Sequence, residues 1–381
     1  MKKIIAIILC LVCILSLASC VAGDKGTGSE DGEKSSFKLG VIFYSKDDAL
    51  GQLVYSYLNN AAKVLGNVEI QWAFGSFSAE AQLADAENLI AAGVDGIMAL
   101  TLDDLAMQSI AKTCNDNDVY FQVMFRMPSS DEVANVLKSY KYYVGYAIED
   151  TVSTSEETIH LLAQRGIKKI AVGGNQHSAT SASRMQGMRQ GVEKYGMDIR
   201  SEFNIGTDVS SVQSDVQNIL DSYPDVEAIW LMSGSLGMAD IVANTLRAHK
   251  ESTGKTVGFV TFDTFDGMSK AFTDGILYGV VGGQAPLCLH AFSAIYNAMS
   301  GHPLSTDKVG LKFPFLVLSS SEDLAVFEKY YNNTEVQIYD DDLIKSMIYK
   351  YNKDVTLDTL TRLSTSYSME WIKEQIDSRK Q

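Results

Sequence analysis

From residue 37 onward, short apolar runs rich in β-branched residues alternate with longer stretches whose apolar residues recur every three or four positions. This alternation restricts the fold more than any other feature. A run apolar on every position is buried on both faces, as in a parallel sheet covered by helices on either side. The amphipathic stretches between the runs are the crossover helices that parallel pairing requires. Residues 37–44, 68–74, 95–100, 119–125 and 141–145 read as strands, and 50–65, 79–92 and 103–115 as helices. Gly66 and Gly93 stand where a helix C-terminus needs a left-handed residue.

The pattern then restarts. Residues 156–165, 181–195, 211–222 and 239–249 read as helices, and 168–172, a segment near Phe203, 226–232 and 256–262 as strands. Two runs of such units predict two doubly wound parallel-sheet, Rossmann-like α/β domains. About 345 residues also exceed what one hydrophobic core organises. Residues 89–98 and 219–230 occupy the same slot in the two halves: a helix ends, a turn follows and a buried strand begins. Further on, 287–299 reads as a helix, 313–318 as a last strand, and 321–331 and 357–376 as helices of a C-terminal extension packed on one domain. Asn332-Asn333 and residues 352–354 read as breaks, and Asp340-Asp341-Asp342 as a solvated helix start.

The N-terminus has the layout of a secretory signal: Lys2 and Lys3, an uncharged apolar stretch over residues 4–17, then Leu17-Ala18-Ser19-Cys20. The stretch is too short for a spanning helix, which needs about 20 residues. Leu-Ala-Ser-Cys resembles the bacterial lipobox, which implies diacylation of Cys20 and an anchor on the outer face of the cell membrane. Residues 21–36 are rich in Gly, Ser and charge and read as a flexible tether. The formal net charge of -15 argues against nucleic acid and against electrostatic attachment to anionic lipid. Cys10 and Cys13 leave with the signal, and Cys114 and Cys288, both on expected helices, read as buried free thiols.

Little in the chain suggests catalysis. His160, His177, His249, His290 and His302 include no pair at metal-ligand spacing. Residues 233–237 (Ser-Gly-Ser-Leu-Gly) resemble a nucleophile elbow but lack its first glycine, and no phosphate-binding glycine loop occurs. The expectation is a binding protein with no metal and no cofactor.

Four stretches resemble the ribose- and galactose-binding proteins of bacterial ABC transporters, the type I periplasmic binding proteins. These are residues 88–97 (NLIAAGVDGI), 180–187 (TSASRMQG), 257–263 (VGFVTFD) and 275–284 (GILYGVVGGQ). The resemblance covers residues 37 to about 319. It implies lobes of 37–146 with 285–312 and 147–284 with 313–320, joined by a multi-strand hinge with the ligand cleft between them, leaving 321–381 as the extension. It also implies a small polar, sugar-like ligand in the cleft, where open α/β sheets bind ligands on physical grounds as well. In family register, Arg126, Arg184, Asp263 and Gln284 become ligand residues, with Ser233 in the second-domain loop. Their chemistry suits hydroxyls: arginine offers a fork of donors, aspartate accepts, and glutamine does both.

Three departures stand out. The Asn-Pro-aromatic-aromatic loop after the first strand becomes residues 45–50 (SKDDAL), an Asp-Arg pair becomes Phe125-Arg126, and an Asn-Asp pair becomes Ser233-Gly234. Tyr44, Trp72 and Phe125 are the aromatics able to supply a stacking face instead. The resemblance implies a monomeric lipoprotein that closes on its ligand and docks on a permease or membrane sensor. Other readings are a nucleoside- or signal-binding lipoprotein feeding a sensor kinase, and a cell-surface hydrolase. Lac-repressor-type regulators share the core but begin with a helix-turn-helix, where this chain has a signal and tether.

Overall fold

The computed structural model describes residues 36–47, 49–175, 179–205, 209–308, 310–331 and 337–379. The signal, Cys20, all of the tether except Ser36, His177 and the Asn332-Asn333 break lie outside them. Among the described residues no helix is long and apolar enough to cross a membrane.

Two six-stranded sheets organise the chain. The first has the order β11-β5-β4-β3-β1-β2 and is parallel throughout. Its strands are β1 (Phe37–Phe43), β2 (Val68–Phe74), β3 (Gly96–Ala99), β4 (Tyr120–Met124), β5 (Tyr143–Glu149) and β11 (Gly310–Phe313). The second has the order β12-β10-β9-β8-β6-β7, parallel except for β12 against β10. It comprises β6 (Lys169–Gly174), β7 (Asp198–Asn204), β8 (Ala228–Leu231), β9 (Gly258–Phe262), β10 (Leu277–Gly282) and β12 (Leu316–Leu318). Central strands β3, β8 and β9 are buried at every residue, as uninterrupted apolar runs require, while edge strands β2 and β7 are only partly covered. In each sheet the winding reverses beside the first strand, between β1 and β3 and between β6 and β8. Ligand crevices open at such reversals.

The chain passes between the sheets three times: after β5, after β10 and between β11 and β12. The last passage corrects the expectation of one strand over 313–318. Pro314 holds no amide hydrogen and disfavours helical geometry at Phe313, so β11 stops there and Leu316 starts a strand in the other sheet. A helix over Asp131–Ser139, capped by the Ser130 hydroxyl, occupies a segment where none was expected.

The C-terminal extension also departs from expectation. Residues 357–376 form two helices, Leu357–Ser366 and Met369–Ser378, because Ser368 caps the second by accepting from the Trp371 amide. The first of them packs on β11 and on the helix Leu287–Met299. The second packs on β12 and on the helix Ser321–Val326. The extension therefore lies across both sheets, not on one domain, and its Tyr339, Ile348 and Tyr367 join the buried cluster containing Leu39 and Phe259. Asp340 does start a helix, Asp341–Ser346, by accepting from the Leu343 amide.

Candidate functional site

Strands β4 and β9, each next to a strand that leads across to the other sheet, end in the same unusual way. Phe125 (φ 60°) and Asp263 (φ 70°) are both left-handed non-glycine residues. Each is pinned by its amide, Phe125 to the Ala147 carbonyl at 2.8 Å and Asp263 to the Val281 carbonyl at 2.9 Å. Such conformations persist where surrounding structure over-determines them, and they concentrate at ligand sites.

Asp263 is the hub of a polar network. The Arg184 guanidinium donates to the Met232 carbonyl at 2.8 Å and stands 3.8 Å from Asp263 Oδ2. It lies 4.2 Å from the centre of the Phe262 ring, a cation–π contact that fixes its plane. Ser233 Oγ donates to Asp263 Oδ2 at 2.7 Å and is 2.9 Å from Ser235 Oγ. Arg184 is 12% exposed, and among the described residues its buried Nε has no hydrogen-bond partner. Burial lowers the guanidinium pKa, and the Asp263 and Glu149 carboxylates raise it.

Glu149 was not anticipated. It is the last residue of β5, half-buried, where the chain first leaves the first sheet. Burial pushes its carboxyl above the ordinary range, while its own backbone N–H and the Arg126 and Arg184 guanidiniums pull it back and Asp263 raises it further. Those mutual influences place Arg126, Glu149, Arg184 and Asp263 in one electrostatic neighbourhood. Ending the expected strand at Gly145 hid Glu149; the observed strand continues as Tyr146-Ala147-Ile148-Glu149, and a charge at the carboxyl end of such a strand was the available signal. A cavity of about 280 Å³ beside this group is lined by Arg126, Glu149, Thr180, Ser183, Gln186 and Lys312. A second, of about 480 Å³, lies between Gln52 and Leu53 on one side and Thr264 and Phe265 on the other, with Glu328 of the extension at its wall.

The remaining expected residues fall as follows. Arg126 is half-buried and donates to the Phe125 carbonyl at 2.7 Å. Gln284 is half-buried in the second passage, directly after left-handed Gly283. Tyr44 is half-buried with its ring 4.7 Å from that of Phe43. Phe125 is 1% exposed and edge-on to Phe43 at 5.9 Å, so it is a core residue with no face for a ligand. Trp72 stacks on Phe74 at 5.2 Å on the edge strand β2. Gly234 stands where the resembled proteins carry a side chain because a Cβ there would lie 2.7 Å from Thr261 Oγ1 and 2.8 Å from Ala239 Cβ.

Cys114 and Cys288 are free and buried, and burial pushes the Cys114 thiol up to about 12. Among the described residues no group of three His, Cys, Asp or Glu is placed to hold a metal ion. The hydrogen-bond partners found for Ser233 among the described residues are Asp263 and serine or backbone groups of its own loop, with no histidine or lysine among them.

Solved structures share this architecture. The periplasmic ribose ABC transporter protein of Conexibacter woesei aligns at TM-score 0.65 and 15% identity over 78% of this chain and 97% of its own. A solute-binding protein of Bacillus halodurans with bound myo-inositol aligns at 0.58 and 17%, over 78% and 99%. The arabinose-transporter binding protein of Shewanella sp. ANA-3, bound to L-arabinofuranose, aligns at 0.60 and 18%, over 77% and 95%. No curated protein sequence matches the chain. Residues 39–300 match the family described as periplasmic binding protein domain, a family of transport solute-binding proteins and not of enzymes. With two largely parallel sheets, three passages between them among the described residues and a polar network at the strand ends, the chain belongs to the periplasmic binding protein family.

Proposed function

We propose that this chain is the lipid-anchored solute-binding component of an ABC-type transporter and that its solute is a sugar or a sugar-like polyol. The observation that carries the reading is the Arg184–Asp263–Ser233 network, in which the buried Arg184 Nε finds no partner among the described residues. A polyol presents neighbouring hydroxyls that both donate and accept. Asp263 takes the donated protons, and Arg184 donates to the oxygens. Arg126 and Glu149 present the same pair of chemistries from the first sheet, and Gln284 serves both from the second passage. The four charges cancel, which suits a neutral solute. The three similar proteins named above are a ribose transporter protein and proteins holding myo-inositol and L-arabinofuranose.

The lobes of this reading are 37–146 with 285–312 and 147–284 with 313–320, closing on the solute about the three passages. A periplasmic binding protein works outside the cytoplasm. Cys20 would hold it to the outer face of the cell membrane, residues 21–36 would tether it, and a monomer would deliver solute to a permease or present it to a sensor. Thermal denaturation with a panel of pentoses, hexoses and inositols tests this. A solute at 100 times its Kd adds about 2.7 kcal/mol of stability. One class of solute raises the midpoint, and Arg184→Ala abolishes the rise; flat curves for every polyol would contradict the assignment.

A further inference from the structure

Gln284 is gripped from both sides by the C-terminal extension. The amide of Ala285, just after it, donates to Tyr331 Oη at 2.9 Å, and the carbonyl of Gly283, just before it, accepts from Tyr367 Oη at 2.6 Å. Both bonds are buried, and burial pushes both phenols above their ordinary range, so each keeps its proton. The rings are themselves held: Tyr331 stacks on Phe327 at 4.5 Å, and Tyr367 lies 4.7 Å from Phe313 at the third passage and 5.9 Å from Trp371. Ser364 Oγ adds a bond at 2.9 Å to the carbonyl of Lys312, beside that third passage. Two of the three passages between the sheets are thus bonded to one segment, and that segment packs on both sheets. The match to the family ends at residue 300, so the segment lies outside the part shared with it.

We propose that residues 321–331 and 337–379 are a brace on the hinge, in which Tyr331 and Tyr367 are positioning residues that fix Gln284 and restrict how far the cleft opens. The role assigned to Gln284 rests on the solute-binding reading above, whereas the restriction on opening does not. A hinge opens by changing a few backbone dihedrals at its crossing residues. Here a change at 283–285 would have to break two buried hydrogen bonds whose hydroxyls have no water at hand to replace them. Glu328, on the turn between Phe327 and Tyr331, also stands at the wall of the interlobe cavity, so the brace reaches the cleft itself.

The test uses Tyr331→Phe, Tyr367→Phe and the double variant, which keep the rings and remove only the hydroxyls, with folding checked by circular dichroism. Spin labels at Glu87→Cys and Glu251→Cys, exposed positions on the two lobes, report the interlobe distance, while Cys114 and Cys288 are buried from the label. In solute-free protein the double variant should give a longer, broader distance distribution than the parent. Exchange of the Ala285 amide should be about tenfold faster in Tyr331→Phe, the scale of one lost hydrogen bond. An unchanged distribution in the folded double variant overturns the brace, even if its melting temperature falls, because that combination is a purely structural role. Unchanged Ala285 exchange overturns the positioning of Gln284. Neither readout needs a solute. A parent protein whose distances do not shorten with myo-inositol, ribose or arabinose counts against the solute class, not against the brace.

Discussion

Replacing Arg184 by alanine removes a donor from the Met232 carbonyl and the positive charge beside Asp263. A hydrogen bond to a charged group contributes about 1.5–3 kcal/mol, so solute affinity should fall at least tenfold by calorimetric titration. Arg184→Lys should recover little of it, because an ammonium cannot bridge two acceptors in one plane. Glu149 makes a prediction of opposite sign to a usual paired acid. Its folded pKa is raised, so the folded chain binds its proton more readily than the unfolded chain. Stability due to this group therefore falls as pH rises from about 4.5 through the raised value. Glu149→Gln should be more stable than the parent at pH 7 and indistinguishable below about pH 4, measured by urea denaturation. The places of Arg184 and Asp263 in the fold were legible because Asp263 follows an apolar run and Arg184 sits early in a helix that periodicity predicts. Phe125 was misread because sequence gives its place at a strand end but not the left-handed turn that accompanies its burial against Phe43.

At the scale of elements, the helices Thr151–Gln164 and Ala179–Tyr195 meet through glycine. A methyl on Gly187 would run into the Val152 carbonyl and lie 2.8 Å from Ser155 Cβ. Gly187→Ala should cost about 1–3 kcal/mol and move the helix that carries Arg184, lowering affinity together with stability. His290, on the helix Leu287–Met299, is held near Tyr339 of the extension at 3.0 Å and edge-on at 5.8 Å, and burial lowers its pKa from 6.5 to about 3. The unfolded chain protonates there first, so stability due to His290 is lost as pH falls from about 6.5 toward 3, at up to about 1.4 kcal/mol per pH unit. His290→Gln should flatten that part of the acid-denaturation profile. The βα alternation made nearly every strand of both sheets legible. What it could not show was partnership: 313–318 is one apolar run, and only the fold shows that Pro314 divides it between sheets. The extension's helices were legible too, but their burial against both sheets depends on contacts distant in sequence.

For the whole molecule, the proposed function couples a cleft of matched donors and acceptors to a hinge of three passages. In the closed form proposed above, Arg184, Asp263, Arg126 and Glu149 would surround a neutral polyol, and dewatering would strengthen each bond that the solute makes. Solute binding and closure are then one equilibrium: a solute shifts the lobes only by as much as it prefers the closed form. Small-angle scattering of the protein, with and without a saturating sugar or inositol chosen by thermal shift, tests this most directly. Closure on the solute should give a smaller radius of gyration with solute and no change in Arg184→Ala at the same concentration. A parent protein that binds the solute at unchanged radius, or an Arg184→Ala variant that compacts as the parent does, would contradict it.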